Sequence, residues 1–170
     1  FPVVATFHHP ITHDLRIALE AEPRWYMRLL ILRWHSFLRM QKKVVRKLDH
    51  IVTVSERSQI DIAHDFGVAK NDIDLIYNGI DTEEFLPLPG VKKTPYRIMC
   101  TASADQPLKG LKYLLKAIAA LRPRYPSINL LVVGKPKPGG YTEGLIQRLG
   151  IGDIVQFVSG ISTEQLVRHY

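Results

Sequence analysis

The chain has 170 residues, 46% hydrophobic and 23% charged, which is enough apolar material for one ordinary globular domain or two small ones. Its net charge of +7, from 23 basic and 16 acidic residues, favours anionic partners such as phosphates, nucleic acid or acidic lipid headgroups. A single cysteine, Cys100, excludes an internal disulfide, and no apolar run approaches the roughly 18 residues that span a bilayer as a helix.

Pro2-Val3-Val4-Ala5-Thr6-Phe7 has the β-branched, apolar composition of a buried parallel strand, and it delivers His8-His9-Pro10. Open α/β sheets bind ligands beyond the carboxyl ends of their strands, so His8 is a candidate site residue. The plainer alternative is a histidine pair bonded to local backbone. His9 and His13 are four apart, but Pro10 lies between them and no third ligand is in view, so no metal site is expected. Residues 11–21 read as a helix. After Pro23 a longer helix is expected over residues 24–48, with Leu30, Trp34, Phe37, Val44 and Leu48 near one stripe. The rest of its surface carries Arg24, Arg28, Arg33, Arg39, Lys42, Lys43, Arg46 and Lys47, with no acid among them. Interleaved with Trp25, Tyr26, Trp34 and Phe37, these cations describe either an interfacial helix on an acidic membrane or a core-packing helix with a solvated basic face. No recognition motif for nucleic acid accompanies the charge, so no specific nucleic-acid partner is expected.

Ile51-Val52-Thr53-Val54 reads as a second buried strand, Ser55 as the N-cap of a helix over residues 56–66, and Gly67 as its left-handed stop. Asp72-Ile73-Asp74 has the spacing of a metal-binding acidic pair. On the strand leading into Tyr77-Asn78-Gly79, however, alternation turns both carboxylates to one solvent face. Asn78-Gly79 reads as a left-handed turn at that strand's end, and Asp81 or Thr82 as the cap of a short helical turn through Phe85. Pro87, Pro89 and Pro95 then fix φ and remove backbone donors, which marks residues 86–95 as a linker between domains at 1–85 and 96–170.

Residues 96–101 restart the α/β pattern. The loop that follows passes Ser103-Ala104 and reaches Lys109-Gly110 at the start of a helix over residues 111–121. Free backbone N–H groups, the positive end of the helix dipole and the Lys109 ammonium together suit a diphosphate; an ordinary exposed lysine is the plainer account. Residues 128–133 form the next strand, and residues 134–140 a Gly/Pro-rich loop without P-loop spacing. A helix over 141–149 closes at Gly150, and a strand over 154–158 delivers Ser159-Gly160-Ile161-Ser162. Ser162-Thr163-Glu164-Gln165 has the pattern of a capping box.

The order Asn78-Gly79-Ile80-Asp81 with a later Phe85, a proline-rich crossover, and a strand, loop and Lys109-Gly110 helix resembles the group 1 glycosyltransferases of glycosyltransferase family 4. The resemblance extends over nearly the whole chain. It implies an α/β fold of GT-B type with two Rossmann-like parallel-sheet domains, both incomplete in this chain. It also implies transfer of a sugar from a nucleotide diphosphate sugar to an acceptor hydroxyl with retention of anomeric configuration. By the same resemblance His8 supports the transferred sugar, Ser55 borders the cleft, and Lys109 with Gly110 clamps the donor diphosphate. Asn78, Gly134 and Gly160 complete the donor-binding set. No cofactor and no metal are implied, the nucleotide sugar being a substrate. The acceptor is unidentified, with a lipid-linked one compatible, and a cytoplasmic protein peripheral to the membrane is expected. Where the family has Gly-Arg before its lysine, this chain has Ser103-Ala104, so the second diphosphate contact is absent or comes from elsewhere. The family's Glu-x7-Glu motif is not found in the chain, which is therefore expected to be inactive alone. The rival reading is a non-catalytic basic module that binds acidic membrane or nucleic acid through the surface from Arg24 to Lys47.

Overall fold

The computed structural model describes residues 3–102 and 105–170, so Pro2 and the Ser103-Ala104 replacement lie outside the described residues. The chain divides into two compact units, Phe1–Gly79 and Ile80–Tyr170. In the first, β1 (Val4–Phe7), β2 (His50–Thr53) and β3 (Ile73–Leu75) form a parallel sheet in that order, with Val4 opposite His50 and Ile51 opposite Ile73. Parallel neighbours need crossover connections. Helices α1 (Thr12–Ala21), α2 (Trp25–Trp34) and α3 (Leu38–Val45) lie between β1 and β2, and α4 (Glu56–Phe66) between β2 and β3. The core is Val45, Ile51, Ile62, Phe66 and Ile73, with Phe7 meeting Phe66 edge to face at 5.8 Å.

Four expectations are corrected in this unit. The strand at β1 is present but not buried: Val4 is 62% exposed and the side chains alternate between exposed and half-buried, because among the described residues β1 pairs with β2 alone, at the edge of the sheet. The helix expected over residues 24–48 is broken by a 3-10 turn, His35–Phe37, where His35 Nδ1 donates to the Ile31 carbonyl at 2.8 Å. Three residues per turn do not carry a 3.6-residue stripe through, so the buried positions become Leu38 and Val45 while Leu30, Trp34 and Val44 are exposed. Asp72 ends a second 3-10 turn, Lys70–Asp72, and does not lie on the strand, although both it and Asp74 are exposed as expected. Neither Asn78 nor Gly79 is left-handed. The ladder continues past β3 through Ile76 N–H donating to Thr53 O at 2.9 Å, and the reversal waits for Asp81. Its Oδ1 accepts from the Glu83 and Glu84 N–H groups at 2.9 and 3.0 Å.

In the second unit, β4 (Arg97–Thr101), β5 (Asn129–Val133) and β6 (Val155–Val158) form another parallel sheet in that order. Helix α5 (Leu111–Leu121) follows β4, α6 (Tyr141–Leu149) follows β5, and α7 (Thr163–His169) follows β6. Leu111, Leu115 and Ile118, spaced i, i+4 and i+7 on α5, are buried in one core with Leu130, Val132, Leu145 and Ile146. The capping box of α7 forms in both directions, Gln165 N–H to Ser162 Oγ at 3.2 Å and Ser162 N–H to Gln165 Oε1 at 2.8 Å.

Candidate functional site

In the first unit the carboxyl ends of β1 and β2 bring His8 and Ser55 into one hydrogen-bonded group. Ser55 Oγ accepts from Ser58 N–H at 3.1 Å, capping α4 as expected, and donates to Ser58 Oγ at 2.9 Å. Ser58 Oγ donates in turn to the His8 carbonyl at 2.6 Å, and Thr53 Oγ1 donates to the Phe7 carbonyl at 2.7 Å. The His8 side chain is exposed. His9 is held apart from it, with Nε2 3.2 Å from Asp14 Oδ1. Asn78 is exposed beyond β3 and makes no side-chain hydrogen bond among the described residues, so the structure does not join it to this group. Tyr77 Oη donates to Glu56 Oε1 at 3.3 Å, and the Glu56 charge pushes the phenol above its ordinary value.

In the second unit the strand ends again carry the candidates. Ala102 N–H donates to Val133 O at 3.1 Å and Gly134 N–H to Val158 O at 2.7 Å, which places Gly134 directly beyond β5 on the side of β6. Gly160 is exposed at φ 69°, with nothing within 4 Å of where a Cβ would stand. Lys109 is exposed at the end of the 3-10 turn Pro107–Lys109, and Gly110, at φ 68° and ψ 9°, begins α5. That conformation is open to glycine at little cost. No side chain caps α5 and no acid lies in its first turn, so its positive end is open.

The other two helix starts of this unit are filled. Ser162 caps α7, and at α6 the Thr142 N–H donates to Asp105 Oδ1 at 2.7 Å, while Asp105 N–H donates to Thr142 Oγ1 at 3.3 Å. Asp105, at φ 63°, thus ties the loop after β4 to the loop after β5. Its Oδ2 is buried with no hydrogen-bond partner among the described residues, and a Cβ on Gly140 would collide with this carboxylate. A protein carboxylate therefore occupies the anion position at α6 and leaves the one at α5 free. Sequence reading missed Asp105 and Thr142, which meet across 37 residues with no local signal; it also missed Ser58, whose place three residues after a serine cap was visible. A groove of about 780 Å³ lies elsewhere in this unit, lined by Phe85, Arg97, Met99, Val167 and Tyr170, and includes none of the candidates. Cys100, half-buried on β4, has its thiol pushed up by burial, which disfavours the nucleophilic thiolate.

Two parallel-sheet units with candidate residues beyond their strand ends define an α/β protein of the GT-B class. Residues 1–84 match the family described as Glycosyltransferase Family 4, and residues 84–170 match Glycosyl transferases group 1. The chain belongs to the group 1 glycosyl transferases. It is 45% identical over 166 residues, 98% of its length, to the MMP alpha-(1->4)-mannosyltransferase of Mycolicibacterium hassiacum. It is 28% identical over 146 residues, 76% of its length, to the D-inositol 3-phosphate glycosyltransferase of Mycolicibacterium smegmatis. It spans 39% and 32% of those relatives. Among solved structures, sucrose-phosphate synthase from Thermosynechococcus elongatus superposes with a TM-score of 0.69 at 24% identity, covering 100% of this chain and 42% of that one. WaaG, a glycosyltransferase involved in lipopolysaccharide biosynthesis, gives 0.68 at 17% identity, covering 99% and 48%. These likenesses share the fold. The non-catalytic basic module gains no support from them.

Proposed function

We propose that the protein transfers a mannosyl group from a nucleotide diphosphate sugar to an acceptor hydroxyl, with retention of anomeric configuration. The observation that carries this reading is the likeness, over almost the whole chain, to a relative named as an alpha-(1->4)-mannosyltransferase. The open start of α5 supports it. Departure of the diphosphate is the step that needs electrostatic help, and the Lys109 ammonium with the first N–H groups of α5 would hold the charge as it develops. Gly110 keeps that approach clear, since the nearest atom to a Cβ placed there is Tyr113 Cδ2 at 4.0 Å. Gly134 and Gly160 would line the nucleotide with backbone, Ser55 and Asn78 would border the site, and His8 would hydrogen-bond the transferred sugar. The donor is a substrate, and no cofactor is invoked.

A donor-release assay on the intact protein tests this. Wild type should release nucleoside diphosphate from one sugar nucleotide of a panel, and Lys109→Ala and His8→Ala should each cut the rate by about 100-fold, the scale of losing one charge-stabilising contact. Turnover of no donor with any acceptor would end the reading.

Docking at the cytoplasmic face of an acidic membrane, through the surface from Arg24 to Lys47, is a second proposal. Trp25 and Trp34, 73% and 77% exposed on α2 near Arg28 and Arg33, favour it. Binding to phosphatidylglycerol vesicles that fades with salt supports it; equal binding to phosphatidylcholine vesicles, or none to either, rejects it.

A further inference from the structure

The backbone that carries His8 is held by hydroxyl groups of the next strand–helix segment. Phe7 is the last residue of β1 in register with β2, opposite Thr53. The ladder ends there, yet the next two carbonyls are not left to solvent. Thr53 Oγ1 takes the Phe7 carbonyl at 2.7 Å and Ser58 Oγ takes the His8 carbonyl at 2.6 Å. Thr53 is fully buried and Ser58 is 9% exposed. Ser55 Oγ donates to Ser58 Oγ at 2.9 Å, which leaves the Ser58 hydroxyl proton directed at His8. Pro10, also fully buried, fixes the chain two residues further on. The imidazole between these anchors is exposed and makes no side-chain hydrogen bond among the described residues.

Neither hydroxyl is required by the fold elements that contain it. Ser55 alone caps α4, so Ser58 could be alanine without an orphaned helix donor. At a fully buried strand position valine packs as threonine does, and a hydroxyl is tolerated there only because it has a partner. Both partners are the carbonyls on either side of the His8 Cα.

We infer that Thr53 and Ser58 are positioning residues that set the direction of the His8 imidazole by fixing the Phe7 and His8 peptides. The inference rests on the assignment of His8 to the transferred sugar. A reacting group displaced by about 1 Å loses on the order of 100-fold in rate, so releasing one of two carbonyls should cost about 10-fold or more. The effect belongs in kcat, because the charged contacts to the donor diphosphate are assigned to Lys109 and the start of α5 in the other unit.

The test is steady-state donor kinetics on the intact protein for Ser58→Ala, Ser58→Thr, Thr53→Val, His8→Ala and the Ser58→Ala/His8→Ala double variant. Ser58→Ala and Thr53→Val are expected to lower kcat about 10-fold with donor KM unchanged, and Ser58→Thr, which keeps the hydroxyl, to stay near wild type. In the His8→Ala background Ser58→Ala should cost nothing further, since its only route to the reaction is gone. A loss of stability would act equally in both backgrounds and does not imitate this result. The inference is overturned if Ser58→Ala leaves kcat unchanged while His8→Ala cripples it, or if it lowers kcat by the same factor in both backgrounds. Wild-type kcat in His8→Ala removes the role of His8 and this inference with it. Should Ser58→Ala not fold, Thr53→Val with and without His8→Ala carries the same comparison.

Discussion

Gly140→Ala separates a steric effect from a backbone one at the start of α6. Gly140 sits at φ −79° and ψ 177°, where alanine is unstrained, so the substitution costs nothing through the backbone itself. The added Cβ would collide with the Asp105 carboxylate and stand 2.8 Å from the Lys137 carbonyl oxygen. The carboxylate must then leave the Thr142 N–H, which removes the cap of α6. A cap is worth about 1 kcal/mol and a hydrogen bond to a charged group about 1.5–3, so we expect a loss of roughly 2 kcal/mol. For a unit of this size that lowers Tm by about 10 °C. Urea unfolding followed by circular dichroism should show a lower midpoint at unchanged m. Asp105→Ala should cost about as much alone, and Gly140→Ala should cost less in that background, where the collision with the carboxylate is gone and only the approach to the Lys137 carbonyl remains. Gly139→Ala is the control: at φ 66°, with nothing within 4 Å of its Cβ, it should cost about 1 kcal/mol from left-handed strain equally in both backgrounds. A neutral Gly140→Ala, or strict additivity with Asp105→Ala, would refute the brace.

Leu115, fully buried between α5 and the second sheet, should lose about 2–5 kcal/mol on conversion to alanine, read as a drop in unfolding midpoint without loss of the first unit's signal. Burial raises the Asp65 carboxyl, but hydrogen bonds from Thr12 and His64 outweigh it and leave the group below its ordinary value. A depressed folded pKa gives stability that is present above the unfolded value, near ~3.9, and lost as pH falls through the folded one. Unfolding midpoints should therefore drop below about pH 4, and Asp65→Asn should flatten that drop. Cys100 should react slowly with a thiol reagent at pH 7 in the native protein and rapidly in denaturant; fast native labelling would contradict its raised thiol.

What was legible in the sequence was what local chemistry determines. Ser55, Gly67, Gly150 and Ser162 stop and start helices as read, because a cap is decided within four residues. Core strands such as β5 announced themselves by composition. The misreadings come from non-local choices. The stripe over residues 24–48 lost its phase at a three-residue turn, after which Leu38 and Val45 are the buried positions. Asn78-Gly79 has the best local propensity for a left-handed turn, yet neither residue is left-handed: the ladder bond from Ile76 to Thr53 precedes them and the turn forms at Asp81. At the candidate site, His8 could be found because it follows β1 directly, and Lys109 because it stands beside the glycine that begins α5. The groups that hold their surroundings, Asp105 with Thr142 and Ser58 with the His8 carbonyl, pair residues 37 and 50 apart, which no window of sequence reveals.

The most direct test of the central claim is nucleotide binding by titration calorimetry, with guanosine and uridine monophosphate and diphosphate on the intact protein and on Lys109→Ala. If Lys109 holds the donor diphosphate, wild type binds one diphosphate about 10- to 100-fold more tightly than its monophosphate, the worth of a charged hydrogen bond, and Lys109→Ala keeps only the smaller preference that the N–H groups of α5 supply. A diphosphate preference that survives undiminished in Lys109→Ala, or no preference in wild type, would contradict the account.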